Sequence, residues 1–300
     1  MQTEVRLSDS AIAGFIHSHQ LPSAFHRLAA DHYLPLASWI VSRCSSAATP
    51  LLGINGAQGT GKSTLAEFLK LALESAYQWR VAVVSIDDFY LTKAERRRLA
   101  HDVHPLLATR GVPGTHDTGM LLQCLDELGA LGPSGRCRLP RFDKAEDERS
   151  DRSTWPEIAG PVDLIILEGW CVGSVAEDDA TLAKPVNRLE REQDADATWR
   201  RFANERLQSD YVAVFTRIDA LVFLQAPSFG AIYRWRLEQE RQLAAVTSAT
   251  APGVMSARQV ADFIQIYERI TRNNLALLPA SADVVLELDE NHGCLASRYD

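Results

Sequence analysis

The chain has 300 residues, a formal net charge of −8, and 46% hydrophobic and 23% charged residues, a composition that is ordinary for a globular enzyme with a sizeable core. The acidic balance argues against bulk nucleic-acid binding, which depends on Lys and Arg to neutralise phosphates, but it allows a locally positive pocket for a small anion. No stretch reaches the roughly 18 apolar residues of a membrane span, and the N-terminus lacks a basic segment followed by an apolar run. We therefore expect no signal peptide, no membrane partner and no nucleic-acid partner.

Cysteine usage indicates the compartment. The five cysteines are scattered and include no C-x-x-C pair, which argues against a disulfide framework or a structural zinc site. Free thiols of this kind are typical of a reducing compartment, so we predict a cytoplasmic protein. The sequence carries no signal for the oligomeric state.

Residues 1–48 are predicted to form an N-terminal helical extension. Ile12, Phe15 and Ile16 share one helical face. A second apolar stripe follows at helical spacing and comprises Phe25, Leu28, Ala29, Leu36, Ile40 and Val41. Pro35 is expected to bend or divide this second helix. We interpret the extension as packed on the core; the alternative is an arm that binds a partner.

Five apolar runs predict the strands of a parallel sheet in residues 49–300. They are Leu51–Ile54, Val81–Ile86, Val162–Leu167, Ala220–Leu224 and Val284–Leu288. The runs are mostly continuous rather than alternating, which suits strands that are covered on both faces. We therefore predict one α/β domain with a five-stranded parallel sheet flanked by helices.

Helical patterns and two long connections complete the predicted domain. Helices are expected over Lys62–Ala76, Met120–Leu131 and Ser256–Leu275, and the last begins with Ser256 and Gln259 at the spacing of a capping box. The polar connections run from about 132 to 161 and from about 171 to 219. Because structureless loops of this length are uncommon, we interpret residues 172–216 as a helical insertion.

A glycine-rich loop separates the first strand from the first helix of this domain. It reads Gly56-Ala57-Gln58-Gly59-Thr60-Gly61-Lys62-Ser63 and fits G-x-x-x-x-G-K-[ST] at every fixed position. Glycines let successive N–H groups point at phosphate oxygens, and the following helix presents its positive end to the same anion. A chance match in an ordinary glycine turn is the alternative, but the strand and the helix that the motif requires are both predicted here. The fold class is therefore a P-loop NTPase of the NMP-kinase-like type.

The motif predicts which residues bind ATP. We expect residues 56–64, from Gly56 to Thr64, to bind the nucleotide. Lys62 is expected to reach the β- and γ-phosphates, and the Ser63 hydroxyl to hold Mg²⁺. This signal is strong for triphosphate binding and says little about the reaction.

Acids follow two of the other predicted strands. Asp87 and Asp88 end the second run, where a carboxylate would accept the proton of an attacking hydroxyl, or would cap the following segment; the spacing alone does not separate these interpretations. Glu168 ends the third run, where an acid would hold the Mg²⁺ shell. The alternative for Glu168 is a solvated acid at a strand end, and the phosphate loop favours the metal.

Further strings of the sequence complete a pattern. The phosphate loop, Asp87–Tyr90, Pro140–Asp143 and Glu168–Gly169 occur in the order of the phosphoribulokinase and uridine kinase superfamily, which the chain resembles. Four strings are similar to the plant- and fungal-type D-glycerate 3-kinase family in particular; they are Arg110–Asp117, Glu168–Trp170, Val186–Glu190 and Trp235–Glu240. The resemblance covers roughly residues 50–290.

The resemblance implies transfer of the γ-phosphate of ATP to a hydroxyl, which in that family is the 3-hydroxyl of D-glycerate. It implies that Asp87 is the general base, alongside Lys62 and Glu168 as catalytic residues. Asp88 would support the base, and Phe89 and Tyr90 would line the acceptor pocket.

The resemblance also implies a mobile lid over about 229–255, in which Arg234 or Arg236 would neutralise the transferring phosphoryl group. The alternative for these arginines is an exposed helical face paired with Glu238 and Glu240.

A glycerate carboxylate calls for an arginine fork, because bidentate pairing fits its geometry. The candidates are Arg110, Arg141 and Arg188, with Lys144 and His116 beside them, and each of them could instead be a surface ion-pair partner. Two other functions are kept open: a kinase of another small alcohol, such as a nucleoside or pantothenate, and an ATP-binding kinase-like regulatory protein.

Overall fold

The structure is a computed structural model that describes residues 4–44, 49–246 and 255–300. The α-helices of these residues are α1 (Asp9–Ser18), α2 (Phe25–Leu28), α3 (Leu34–Cys44), α4 (Lys62–Tyr77), α5 (Lys93–Asp102), α6 (Thr118–Gly129), α7 (Asp179–Leu182), α8 (Arg188–Gln193), α9 (Thr198–Gln208), α10 (Asp210–Phe215), α11 (Phe229–Val246) and α12 (Ala257–Leu277). The strands are β1 (Leu51–Gly56), β2 (Val81–Ser85), β3 (Arg136–Arg138), β4 (Phe142–Asp143), β5 (Glu148–Arg149), β6 (Glu157–Ala159), β7 (Leu164–Gly169), β8 (Ala220–Gln225), β9 (Val284–Leu288) and β10 (Cys294–Tyr299).

A central sheet organises the described residues in the strand order β10-β9-β8-β1-β7-β2. The five predicted runs form β1, β2, β7, β8 and β9, and these strands pair in parallel. The prediction of five strands is wrong by one, because β10 adds a sixth, antiparallel strand at the edge beside β9. None of its residues is buried, and it has no long apolar run, as expected of an edge strand with one partner.

The register of the parallel strands brings the predicted motifs to one edge of the sheet. Glu168 lies opposite Ile54 of β1 on one side and opposite Ser85 of β2 on the other. The phosphate loop after β1 and the acids after β2 therefore flank the end of β7. Gly169 is required at this point, because a Cβ there would collide with the side chain of Ile86.

The N-terminal helices share the main hydrophobic core with α4 and the sheet. Phe68 of α4 lies at the centre of an aromatic cluster, with ring centroids 5.3 Å from Phe15, 5.7 Å from Phe25 and 5.7 Å from Tyr33. Pro35 is the second residue of α3 and directly follows a π-helical turn over Ala29–Tyr33, which separates α2 from α3. The division between an extension and a kinase domain stays a prediction.

The predicted connections contain regular structure. Residues 132–161 form two small hairpins, in which β3 pairs with β6 and β4 with β5. The long connection after β7 carries α7, α8, α9 and α10. The capping box that opens α12 forms with both of its hydrogen bonds. Of the predicted lid, residues 229–246 form α11, and 247–254 lie outside the described residues. Within the described ranges, no helix is long and apolar enough to cross a membrane.

The aromatic cluster predicts that the extension unfolds together with the sheet. Phe15 is 6% exposed, so Phe15→Ala should lower the free energy of unfolding by about 3–5 kcal/mol in a single cooperative transition. Urea unfolding followed by circular dichroism measures it. Leu295→Ala, at a side chain that is 70% exposed, is the control and should change stability by less than about 0.5 kcal/mol. A separate early transition for the N-terminal helices would contradict the shared core.

Candidate active site

The phosphate loop leaves β1 and enters α4 with left-handed backbone at Gly59 and Gly61, whose φ angles are 82° and 85°. L-residues with a side chain rarely adopt these angles, which explains the glycines. Thr60 folds the loop on itself, with its backbone N–H and its hydroxyl both donating to the carbonyl of Ala57, at 3.2 and 2.8 Å. The N-terminus of α4 has no side-chain cap, so its amides are available to an anion.

Ser63 and Glu168 meet where α4 begins beside the end of β7. The Ser63 hydroxyl donates to Oε1 of Glu168 at 3.1 Å. Oε2 of Glu168 is buried and has no hydrogen-bond partner within the described part of the chain. Oxygen ligands of this kind suit Mg²⁺, and the unsatisfied carboxylate oxygen fits such a cation.

Asp87 lies in a short 3₁₀ turn after β2, between cations from two different loops. Its Oδ2 accepts from Nζ of Lys144 at 2.7 Å, and its Oδ1 accepts from the Tyr90 hydroxyl at 2.9 Å. Burial raises the pKa of Asp87, but the charges of Lys144 and Lys62 outweigh burial and lower it to about 2. The carboxylate is therefore ionised at neutral pH.

Asp88 fastens the β4–β5 hairpin to the end of β2. It accepts from Nη1 of Arg141 at 3.1 Å and from the backbone N–H of Phe142 at 3.1 Å. Burial raises the pKa of Asp88, and Arg141 opposes this effect. The Asp87 and Asp88 carboxylates thus contact the hairpin and Tyr90 rather than capping the segment that follows, which favours the site interpretation over the capping one.

A buried arginine that the sequence analysis missed holds the hairpin in place. Arg96 is 1% exposed and donates to the carbonyls of Leu91, Ala108 and Asp147 at 2.9 to 3.1 Å. It also pairs with the Asp147 carboxylate, which in turn binds Arg110. Arg96 stands in a run of three arginines, a pattern that usually marks a solvated face, so its role had no sequence signal.

His116 is buried against the aromatic wall of the site. Its ring stacks on Tyr90 with centroids 4.4 Å apart, and its Nδ1 lies 2.6 Å from the hydroxyl of Tyr211 in α10. Burial lowers the pKa of His116 to about 4, against the opposing charge of Asp87, so the ring is neutral. Tyr211, in the helical insertion, was not predicted.

The hydroxyl of Tyr211 links His116 to the loop around Gly114. The backbone N–H of Gly114 donates to the Tyr211 oxygen at 3.1 Å, which opposes the rise that burial causes in the pKa of Tyr211. A hydroxyl that donates to Nδ1 of His116 leaves the ring proton on Nε2. Nε2 of His116 is buried and has no hydrogen-bond partner among the described residues. The negative charge of Asp87 acts on the same ring.

Helix α12 packs against the loop that carries Gly111. Trp170 donates from Nε1 to the carbonyl of Gly111 at 3.1 Å and packs edge-on against Tyr267 at 4.9 Å. A Cβ at Gly111 would lie 2.7 Å from the Tyr267 hydroxyl, so this approach needs glycine. Burial raises the pKa of Tyr267, and the charge of Asp87 adds to the effect.

Comparison with known proteins identifies the group to which this geometry belongs. No family model matches the chain. It is 35% identical over 258 residues to an uncharacterised kinase, mug58, of Schizosaccharomyces pombe, which covers 80% of this chain and 88% of that protein. It is 32% identical over 226 residues to the chloroplastic D-glycerate 3-kinase of Arabidopsis thaliana, over 72% of this chain and 46% of that protein. The chain belongs to the family of kinases that includes mug58.

A solved structure agrees with this family. The D-glycerate 3-kinase of Cryptococcus neoformans superposes on the kinase with a TM-score of 0.74 at 25% identity, over 89% of this chain and 99% of that chain. The predicted resemblance, the P-loop α/β fold class and an ATP-dependent phosphotransferase are thereby confirmed. The roles of individual residues stay predictions.

Arg188 pairs with Asp262, and its guanidinium lies 4.0 Å from the carboxylate of Glu192. Its place in the arginine fork stays a prediction. The Val186–Glu190 string around Arg188 connects two helices of the kinase. Glu190 is buried and binds Arg269 of α12 at 2.7 Å, which ties α8 to α12.

The predicted lid arginines pair with nearby acids. Arg234 binds Glu290, and Arg236 binds Glu240 within α11, where Glu240 is buried rather than part of an exposed helical face. The guanidinium of Arg236 also lies over the ring of Phe263 at 5.8 Å, and Phe263 in turn contacts Tyr267. Trp235, the first residue of the Trp235–Glu240 string, packs on Gly59 of the phosphate loop.

The His116–Tyr211 contact generates a prediction for stability. Tyr211→Phe leaves the N–H of Gly114 and Nδ1 of His116 without a partner, so the free energy of unfolding should fall by about 1–3 kcal/mol. Urea unfolding measures the loss, and ¹⁵N shifts of the His116 ring report the tautomer. Tyr233→Phe is the control, because that hydroxyl makes one exposed contact of 3.5 Å. Unchanged stability with unchanged ring shifts would contradict the described contact.

Proposed function

We propose that the kinase transfers the γ-phosphoryl group of ATP to a hydroxyl of D-glycerate. The observation that carries the proposal is the ionised carboxylate of Asp87, which lies in the field of Lys62 from the phosphate loop and in contact with Lys144 from the hairpin. A base poised between the nucleotide side and a positively charged acceptor side suits a kinase of an anionic alcohol. Two of the similar proteins are named D-glycerate 3-kinases.

The nucleotide side is formed by the loop and α4. The amides of residues 56–64 and the N-terminus of α4 bind the phosphates, and Lys62 stabilises charge on the β- and γ-phosphates. Ser63 and Glu168 would hold Mg²⁺, which supplies charge neutralisation at the triphosphate when bound. The unsatisfied oxygen of Glu168 supports this assignment.

The acceptor side is formed by Asp87 and the groups around it. Asp87 takes the proton of the acceptor hydroxyl as that oxygen bonds to the γ-phosphorus. Tyr90 orients the carboxylate through its hydroxyl, and His116 offers an uncharged N–H from Nε2 to an acceptor oxygen. The roof formed by Trp170 and Tyr267 helps to keep water from the phosphoryl group.

The charge of the pocket favours a carboxylate acceptor. Arg110, Arg141 and Lys144 converge on the hairpin beside the base, each paired with an acid. A nucleoside has no anionic group to recruit these cations, whereas glycerate carries a carboxylate next to its hydroxyls. We include a cytoplasmic location in the proposal because all five cysteines are free thiols.

An acceptor panel tests the function. ADP release coupled to NADH oxidation should show turnover that requires D-glycerate and Mg²⁺ and is lost with EDTA. Uridine and pantothenate should give less than a tenth of the glycerate rate. Turnover with one of these alone would assign the alternative kinase, and acceptor-independent hydrolysis across the panel would point to a regulatory protein.

Variants of the two charged groups should separate binding from chemistry. Lys62→Ala should weaken ATP binding and lower kcat by about 100-fold or more, because it removes charge at the β- and γ-phosphates. Asp87→Asn should keep the ATP Kd while kcat falls about 100- to 10,000-fold, through loss of the base. Calorimetry with an ATP analogue and steady-state kinetics measure the two effects, with Asp31→Asn on the surface as control. An equal loss of ATP affinity in both variants would refute the assignment of Asp87.

A further inference from the structure

Both oxygens of the base are occupied in the structure. Lys144 donates to Oδ2 of Asp87 at 2.7 Å, and Tyr90 donates to Oδ1 at 2.9 Å. A general base must come within hydrogen-bond reach of the proton that it removes. One of these two donors therefore has to yield its place to the acceptor hydroxyl.

The two donors differ in freedom. Tyr90 is 3% exposed, and its ring is held between His116 at 4.4 Å and Phe142 at 5.3 Å. The Lys144 side chain is 60% exposed, and its ammonium makes no other hydrogen bond among the residues that the structure describes. Lysine has a flexible stem with a compact charge, so Lys144 is the donor that can move.

The backbone under Lys144 is fixed while its side chain is not. Arg110 donates to the carbonyl of Lys144 at 3.2 Å and also binds Asp147. Asp147 is anchored in turn by the buried Arg96. The backbone of the hairpin tip is therefore held in place, while the flexible side chain of Lys144 lets its ammonium move from one anion to another.

Two further cations beside the hairpin, Arg110 and Arg141, already make several contacts each. Arg110 lies over the ring of Phe142 at 5.5 Å and pairs with Asp147, and Arg141 pairs with Asp88 at 3.1 Å while donating to the carbonyl of Pro140. An incoming carboxylate would have to break these multiple contacts to recruit either arginine. Lys144 offers the same charge for the loss of one contact.

We propose that Lys144 exchanges Asp87 for the carboxylate of the acceptor, so that the base is unblocked only by a substrate with an anionic group beside its hydroxyl. This exchange rests on the proposed function and names its specificity-determining residue. The ammonium stays charged and paired throughout. The acceptor O–H proton passes to Oδ2 of Asp87, the acceptor oxygen bonds to the γ-phosphorus, and the bond from that phosphorus to ADP breaks.

The exchange predicts how Lys144→Met changes acceptor choice. With D-glycerate, kcat/KM should fall about 10- to 100-fold, the effect of losing one charge-assisted hydrogen bond. With the uncharged amide D-glyceramide, kcat/KM should hold or rise, because Lys144 no longer blocks Asp87. The preference for glycerate over its amide should therefore collapse, and Lys144→Arg, which keeps a mobile cation, should retain most of it.

A matched control and the wild type complete the experiment. Lys93→Met removes a lysine that bonds to the same hairpin, at the carbonyl of Glu146, and should leave both acceptors unchanged. Equal losses on both acceptors in Lys144→Met, or an unchanged preference, would overturn the exchange while wild-type activity still supports a glycerate kinase. A wild type without glycerate turnover would instead refute the proposed function.

Discussion

The parallel register of β1, β7 and β2 is the constraint on which the site depends. It sets Glu168 between the two neighbouring strands, so that the phosphate loop and Asp87 approach the same point from either side. Such convergence brings Glu168, Asp87 and Asp88 to one edge of the sheet, where carboxylates would repel one another. The hairpin cations and Lys62 offset that repulsion. The low pKa of Asp87, despite its burial, shows that the cations prevail at that carboxylate.

The β4–β5 hairpin can hold these cations beside Asp87 only because its own backbone is fixed in place. A buried guanidinium is costly unless its donors are satisfied, and Arg96 has three backbone carbonyls and the carboxylate of Asp147 as partners. Through Asp147 the same contacts hold Arg110. The positive charge beside Asp87 thus depends on the buried side chain of Arg96 in α5. This dependence links the stability of α5 to the electrostatics around Asp87.

Features that depend on neighbours in the sequence could be predicted from it. The continuous apolar runs indicated five strands, and the glycine spacing indicated the phosphate loop, because both follow from local backbone chemistry. Edge strand β10 has no such run, since one partner and a half-exposed face impose no continuous pattern. Arg96 and Tyr211 form contacts with residues far along the chain, and so does Glu190 through its pair with Arg269, so these contacts had no local signal in the sequence.

The strings by which the sequence resembles its family therefore fall into two physical groups. In the proposed function, those at strand ends carry charge to the phosphates and the acceptor. In the insertion, Glu190 ties α8 to Arg269 of α12, and the same helix places Tyr267 against Gly111. Gly111 directly follows Arg110, which contacts the β4–β5 hairpin, so α12 and the hairpin meet at one turn of the backbone. On the proposed function, a change in the insertion that shifts this turn would alter acceptor binding without contacting the acceptor.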